Sequence, residues 1–168
     1  DTGYTDEQGI KEIVNKSGEV LADLDILKEK SLVQRFMEEL VASSGLVTYG
    51  DREVKRSLEL GAVELLLISE ELRRSRTLAR CRSCGHELRE TVDNVEIYER
   101  QLTRRACPSC GEVNLTLVES EDIVQELIEL AERFGTNVEF ISSETEEGKQ
   151  LLMAFKGLAA ILRFKPAA

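Results

Sequence analysis

Four cysteines fall in two matched pairs, Cys81-Arg82-Ser83-Cys84-Gly85 and Cys107-Pro108-Ser109-Cys110-Gly111, with 22 residues between the pairs. Two residues between paired cysteines let both sulfurs converge on one ion, and the glycine that follows permits the tight turn that aims backbone amides at them. Four thiolates suit a closed tetrahedral zinc site with no open position for water, so the expectation is structural zinc held by Cys81, Cys84, Cys107 and Cys110. Thiolates also take iron, which stays open as the ion. Two disulfides are the other reading, disfavoured because no basic-plus-apolar secretory leader opens the chain. A redox Cys-x-x-Cys needs one pair only, and the second matched pair argues against it. His86, the only histidine, follows the first pair and is expected at the surface.

The residues between and around the pairs must build the frame. Leu88–Val92, Val95–Tyr98 and Val113–Val118 read as strands, a zinc-ribbon pattern. From Arg73 to Leu117 there are nine Arg against six Asp or Glu, a surplus of three positive charges inside a chain of net charge −10, so the remainder carries −13. A basic segment that holds every cysteine marks a module, and the expected division is an α/β host at 1–72 and 118–168 with an inserted minidomain at 73–117. Its arginines, including Arg73, Arg74, Arg76, Arg80, Arg82, Arg100, Arg104 and Arg105, suit an acidic protein or ribosomal RNA equally. Tyr98 is the only aromatic there, which supplies a base-stacking surface poorly.

The host is organised around Leu46–Ser69. Val63–Ile68 is nearly continuous apolar sequence and predicts a strand covered on both faces. The helix before it is expected to start near Asp51, as cap, and to stop at Gly61. Upstream, Thr5-Asp6-Glu7-Gln8 has the form of a capping box, and Ile10, Ile13 and Val14 follow at helical spacing. Asn15–Gly18 reads as a stop, Glu19–Leu21 as a short strand, and Asp25–Ala42 as a helix with Leu32, Val33, Phe36, Met37, Leu40 and Val41 on its apolar face. Glu70–Arg76 leads out of the sheet. Downstream, a helix carries Ile123, Val124, Leu127, Ile128, Leu130 and Ala131 and closes at Phe134-Gly135; Asn137–Ile141 is a strand; Ser143-Glu144-Thr145-Glu146 is a second capping box for a helix that ends at Gly157; and Leu158–Phe164 is the last strand. The alternation predicts an α/β sandwich with parallel neighbours.

At 168 residues, with 42% hydrophobic residues, the chain can bury one core plus one small module. Its acidity opposes general affinity for phosphate backbones and favours protein partners. No apolar run approaches the roughly 18 residues a bilayer requires, and a soluble cytoplasmic protein is expected. There is no GxxxxGK[ST] loop, no GxGxxG and little acid–base machinery, so no enzymatic activity is expected. Glu144, Glu146 and Glu147 read as a solvated helix start. The first residue, Asp1, fits a piece of something longer.

Taken together, YTDEQGIKEIV, YGDREVKRSLELGAVELLLISEEL, the paired cysteines, ISSETEEGKQLL and FKGLAAILRF resemble the C-terminal domain of the archaeal class-1 peptide chain release factor, over nearly the whole chain. The resemblance implies a three-layer α/β/α sandwich like that of kink-turn-binding ribosomal proteins, with the cysteines in a small insert. It implies docking to the translational GTPase that delivers the factor and to the iron–sulfur ATPase that recycles ribosomes. The family's Gly-Gly-Gln and Asn-Ile-Lys-Ser motifs, tied to hydrolysis and stop-codon reading, are absent here. The family's Gly-Ile-Leu-Arg-Tyr element, implicated in GTPase binding, corresponds to Ala160, Ile161, Leu162, Arg163 and Phe164, with departures at Ala160 and Phe164. Arg163 is its best contact candidate; Ile161 and Leu162 fit a buried strand equally well. Two rival readings follow from the same likeness. One is RNA binding, for which kink-turn readers resemble Gly50–Arg56 but have an Asn-Glu pair where Arg52-Glu53 stands here. The other is the C-terminal domain of a ribosome-rescue factor.

Overall fold

A computed structural model describes residues 6–166, with side chains from residue 19 onward. The capping residue expected at Thr5 and the side chains of Ile10, Ile13 and Val14 lie outside what is described. The described residues form five helices and seven strands in two sheets.

The described residues begin with one helix, α1 (Asp6–Val41), of 36 residues and thus about 54 Å. The expected stop at Asn15–Gly18 and the short strand at Glu19–Leu21 do not form. An interior glycine costs a helix only about 1 kcal/mol relative to alanine, and the good helix formers from Glu19 to Lys30 outweigh it. The last turns of α1 bury Val33 and Phe36, with Leu32, Met37 and Leu40 packed beside them, as the periodicity predicts. Val41 turns out to be exposed.

Strand β1 (Val47–Tyr49), helix α2 (Asp51–Glu59) and strand β2 (Val63–Ser69) follow. All of β2 except Glu64 is buried, in line with its unbroken apolar character. Gly50, not Asp51, caps α2, and it does so without a side-chain hydrogen bond; the Asp51 carboxylate is taken instead by the Arg74 guanidinium. Gly61, at φ 68°, ends the helix with its amide on the Leu58 carbonyl, and glycine occupies that left-handed conformation without Cβ strain.

After the second sheet come α4 (Ile123–Arg133), β6 (Asn137–Ile141), α5 (Glu146–Ala154) and β7 (Leu158–Leu162). The cap of α5 is Thr145, whose hydroxyl accepts from the Gly148 amide at 3.0 Å. Ser143, the first residue of the expected capping box, donates to Glu71 instead.

The four strands order as β1-β7-β2-β6. Only β2 and β6 are parallel neighbours; β7 runs antiparallel to both β1 and β2. The β1-α2-β2 crossover does produce two strands of like direction, but β7 lies between them, so parallel pairing is rarer than the alternation suggests. All five residues of β7 are buried. Side chains alternate across the sheet. Leu66, Ile68, Leu158, Ala160 and Leu162 meet Val54 and Leu58 of α2 and Ile123 and Leu127 of α4, whereas Leu65, Leu67, Ala159 and Ile161 meet α1 and Leu151 of α5. The sheet is thus covered by two helices on each face.

The second sheet orders as β4-β3-β5, all antiparallel, from β3 (Ser75–Cys81), β4 (Glu87–Val92) and β5 (Leu115–Asp122). Val95–Tyr98, expected as a strand, begins helix α3 (Val95–Leu102), because the Asn94 side chain accepts from the Ile97 amide at 3.0 Å and nucleates the turn. Tyr98 and Leu102 then pack on Ala79, Leu115, Cys81 and Cys107 in a separate small core.

Candidate metal centre

Antiparallel pairing places Cys81 at the last position of β3, and its chain turns at once through Cys84. Cys107 and Cys110 lie in the equivalent turn after α3. The two turns repeat each other's backbone bonds. The Gly85 amide donates to the Cys81 carbonyl and the Gly111 amide to that of Cys107, each at 2.9 Å; the Cys81 and Cys107 amides donate to the His86 and Glu112 carbonyls, also at 2.9 Å. Gly85 at φ 80° and Gly111 at φ 78° supply the left-handed turn that each repeat requires. The turns are tied together where the Arg82 amide donates to the Asn114 carbonyl at 2.9 Å and the Asn114 amide group to the Ser83 hydroxyl at 3.0 Å.

All four sulfurs lie within 4.8 Å of one another. Across the turns, Cys81 Sγ is 3.7 Å from Cys110 Sγ and Cys84 Sγ is 3.6 Å from Cys107 Sγ. A tetrahedral ion with metal–sulfur bonds of about 2.3 Å has sulfur–sulfur edges of about 3.8 Å, so the spacing fits one tetrahedral ion. A disulfide needs about 2.05 Å, and all four thiols are free. Cys81 and Cys107 are buried against the small core, while Cys84 and Cys110 face solvent. His86 is half-buried and not part of the cluster.

The electrostatics suit a cation. The Cys84 backbone amide, with help from that of Ser83, pulls the Cys81 thiol down to about 7 against the opposing effect of desolvation. The Cys110 amide does most to lower Cys107. The Glu112 amide favours the Cys110 thiolate, but desolvation and the neighbouring thiols at Cys81, Cys84 and Cys107 outweigh it and push that thiol up to about 12. Amide dipoles favour thiolates here, but adjacent sulfurs cannot all ionise without a compensating positive charge. A bound dication would supply that charge.

The arginines of this segment are largely occupied. Arg74, Arg76, Arg80, Arg89 and Arg105 each have a carboxylate within 4 Å, and Arg73 donates to the Glu70 and Leu72 carbonyls. Among the described residues, only Arg82, Arg100 and Arg104 of the nine lack such partners, so the basic character of the sequence is largely neutralised within the fold.

The second candidate element ends β7. Ala160, Ile161 and Leu162 are buried in the sheet, and Arg163 and Phe164 are exposed. Arg163 is pinned there: its amide donates to the Ala62 carbonyl at 2.7 Å, and its Nη2 to the Gly135 carbonyl at 2.9 Å, across the end of α4.

Comparison with known proteins places this architecture. A family model described as eRF1 domain 3 matches residues 26–166. A curated peptide chain release factor subunit 1 from Archaeoglobus fulgidus is 52% identical over 99% of this chain, which spans 39% of that relative. The solved C-terminal domain of a peptide chain release factor from Methanosarcina mazei is 39% identical with a TM-score of 0.72, covering 99% of this chain and all of that one. A chain in a structure described as ribosome-bound archaeal Pelota and ABCE1 is 27% identical with a TM-score of 0.56, covering 99% of this chain and 35% of that one. This chain spans about two-fifths of the length of the curated relatives it matches. It belongs to the eRF1 domain 3 family, the C-terminal domain of archaeal release factor subunit 1 proteins.

Proposed function

We propose that this domain is a non-catalytic docking module of a translation termination factor, working in the cytoplasm on the ribosome. It engages a translational GTPase of the elongation-factor type and the iron–sulfur ATPase that recycles ribosomes, while stop-codon reading and peptidyl-tRNA hydrolysis belong to other parts of the complete factor. The observation that carries this reading is the family match over residues 26–166. Among the described residues, no helix is long and apolar enough to cross a membrane.

Within this module, residues 73–117 act as an inserted minidomain whose four cysteines hold structural zinc. The sulfur–sulfur spacing supports that assignment. Zinc would supply a fixed positive centre that lets four thiolates coexist and locks the two turns together. Ala160–Phe164 takes part in GTPase docking, with Arg163 and Phe164 offering the exposed surface.

The test is calorimetric titration of the purified chain with an archaeal translational GTPase. Micromolar or tighter binding that Arg163→Ala weakens is expected. Absence of binding by a folded, zinc-loaded chain refutes the docking role.

A further inference from the structure

Three of the five residues in the proposed GTPase-docking element cannot touch a partner, because Ala160, Ile161 and Leu162 are at most 5% exposed. On one side they pair with β2, and on the other with β1. Val47, Thr48 and Tyr49 pair in register with Ile161, Ala160 and Ala159. The Leu162 amide donates to the Leu46 carbonyl at 2.8 Å and the Gly50 amide to the Leu158 carbonyl at 3.1 Å. In an antiparallel ladder alternate residues turn their backbone groups to the same side. Leu46, Thr48 and Gly50 therefore face β7, and the N–H and C=O of Val47 and Tyr49 face outward along an edge of the sheet that no other strand pairs among the described residues.

Free sheet edges invite another strand, and proteins commonly block them with charge. The other edges here are so blocked. Outer strand β6 carries the Lys28–Glu139 ion pair at 2.9 Å, β4 carries Glu87, Arg89 and Glu90, and β5 ends in Glu119, Glu121 and Asp122. Among the four edge strands, β1 alone has no charged residue. Beside it runs a groove of roughly 190 Å³ lined by Val47, Leu162, Pro166, Arg56 and Ser57 of α2 and Leu60 just past its end. Leu60 is half exposed. Glu53 lines the groove too, but Arg56 has no carboxylate within 4 Å among the described residues, and the Lys165 side chain lies over neighbouring Gly45.

We infer that the open edge of β1 is a strand-docking site, which the buried Ala160–Leu162 segment holds in register. Its occupant is an extended segment of the GTPase partner, pairing with Val47 and Tyr49 while one apolar side chain enters the groove beside Leu60 and a flanking carboxylate meets Arg56. Main-chain pairing supplies affinity, and the groove and cation supply selectivity. This rests on the docking role proposed above and specifies how that role is carried out.

Amide hydrogen exchange on this chain, free and saturated with the GTPase, tests it without altering the protein. Exchange at Val47 and Tyr49 is expected to slow by roughly tenfold or more in the complex, as new strand hydrogen bonds imply. Val47→Pro deletes an outward-facing donor without removing a bond to β7, and Leu60→Asp repels the partner's carboxylate. Each is expected to weaken binding by roughly tenfold, about 1.4 kcal/mol, with circular dichroism unchanged. Should Val47→Pro fail to fold, the exchange measurement on the native chain decides. Binding of the GTPase with unchanged exchange at both amides overturns the strand site and leaves docking intact. Protection that grows with the chain's own concentration, without the GTPase, assigns the edge to a second copy and also overturns it. No binding at all removes the docking role, and the strand site with it.

Discussion

Arg76, on β3, and Glu126, on α4, form an ion pair that joins the small sheet to the helical layer of the large one. The second Glu126 oxygen receives Lys55 Nζ of α2 at 2.6 Å, and the Glu126 side chain is only 12% exposed. A short distance away, Arg74 holds Asp51 at the start of α2 and donates to the Lys156 carbonyl at 3.3 Å. Two arginines therefore orient the cysteine-bearing arm against the host.

Replacing Glu126 with Ala leaves Arg76 and Lys55 without their shared partner, each about one-third exposed. The expected cost is about 1–2 kcal/mol, between the values for exposed and buried pairs. For a domain of this size that lowers Tm by about 3–6 °C. Calorimetric melting measures it, and an unchanged Tm would show that the triad contributes nothing.

Metal removal separates the two cores. The purified chain is expected to carry one zinc per molecule by elemental analysis. Chelation should broaden or shift amide resonances of residues 73–117, whose small core includes Cys81 and Cys107, while those of β2 and β7 stay in place. Collapse of the whole spectrum would contradict the independence of the two cores.

Glu29 titrates above its ordinary carboxylate range, chiefly because partial burial desolvates it, with Glu70, Asp25 and Glu139 adding repulsion and the Ser142 amide opposing the shift. A carboxyl whose folded pKa is raised contributes stability that is fully present below its unfolded value, about 4.5, and is lost as pH rises through the folded value. Glu29→Gln keeps an acceptor for the Ser142 amide and removes the charge. It should raise Tm slightly near neutral pH and leave it unchanged in acid below that window. A lower Tm at neutral pH would reverse the assignment.

The hydroxyl of Tyr98 is buried with no hydrogen-bond partner among the described residues. Removing such a group while keeping the ring is expected to be neutral or to stabilise by up to about 1 kcal/mol. Denaturant titration of Tyr98→Phe checks this, and a loss of more than about 1 kcal/mol would reveal a hidden partner for the hydroxyl.

The clustering of the four cysteines was legible because spacing is local: two residues between paired cysteines, and a glycine after each pair, determine the turn. Val63–Ile68 was legible because an unbroken apolar strand has few places to lie. Where two local signals competed, the stronger local one decided. Asn94 turned Val95–Tyr98 into a helix despite its alternation, Thr145 took the cap that Ser143 also offered, and good helix formers carried α1 through Gly18. Long-range pairing left the weakest trace. Nothing in Leu158–Leu162 announces a strand that separates β1 from β2, and the outward backbone of Val47 and Tyr49 follows only from that register.

That placement of β7 governs how the domain is made. It comes last among the twelve described elements, yet four others pack on it and two strands flank it. As the chain leaves a ribosome, β1 and β2 stay unzipped from one another until residues 158–162 emerge, so the sheet cannot close progressively from its N-terminal side. A nascent molecule cannot complete this sheet before residues 158–162 are made, and truncation ahead of them removes the middle of the sheet, not its margin.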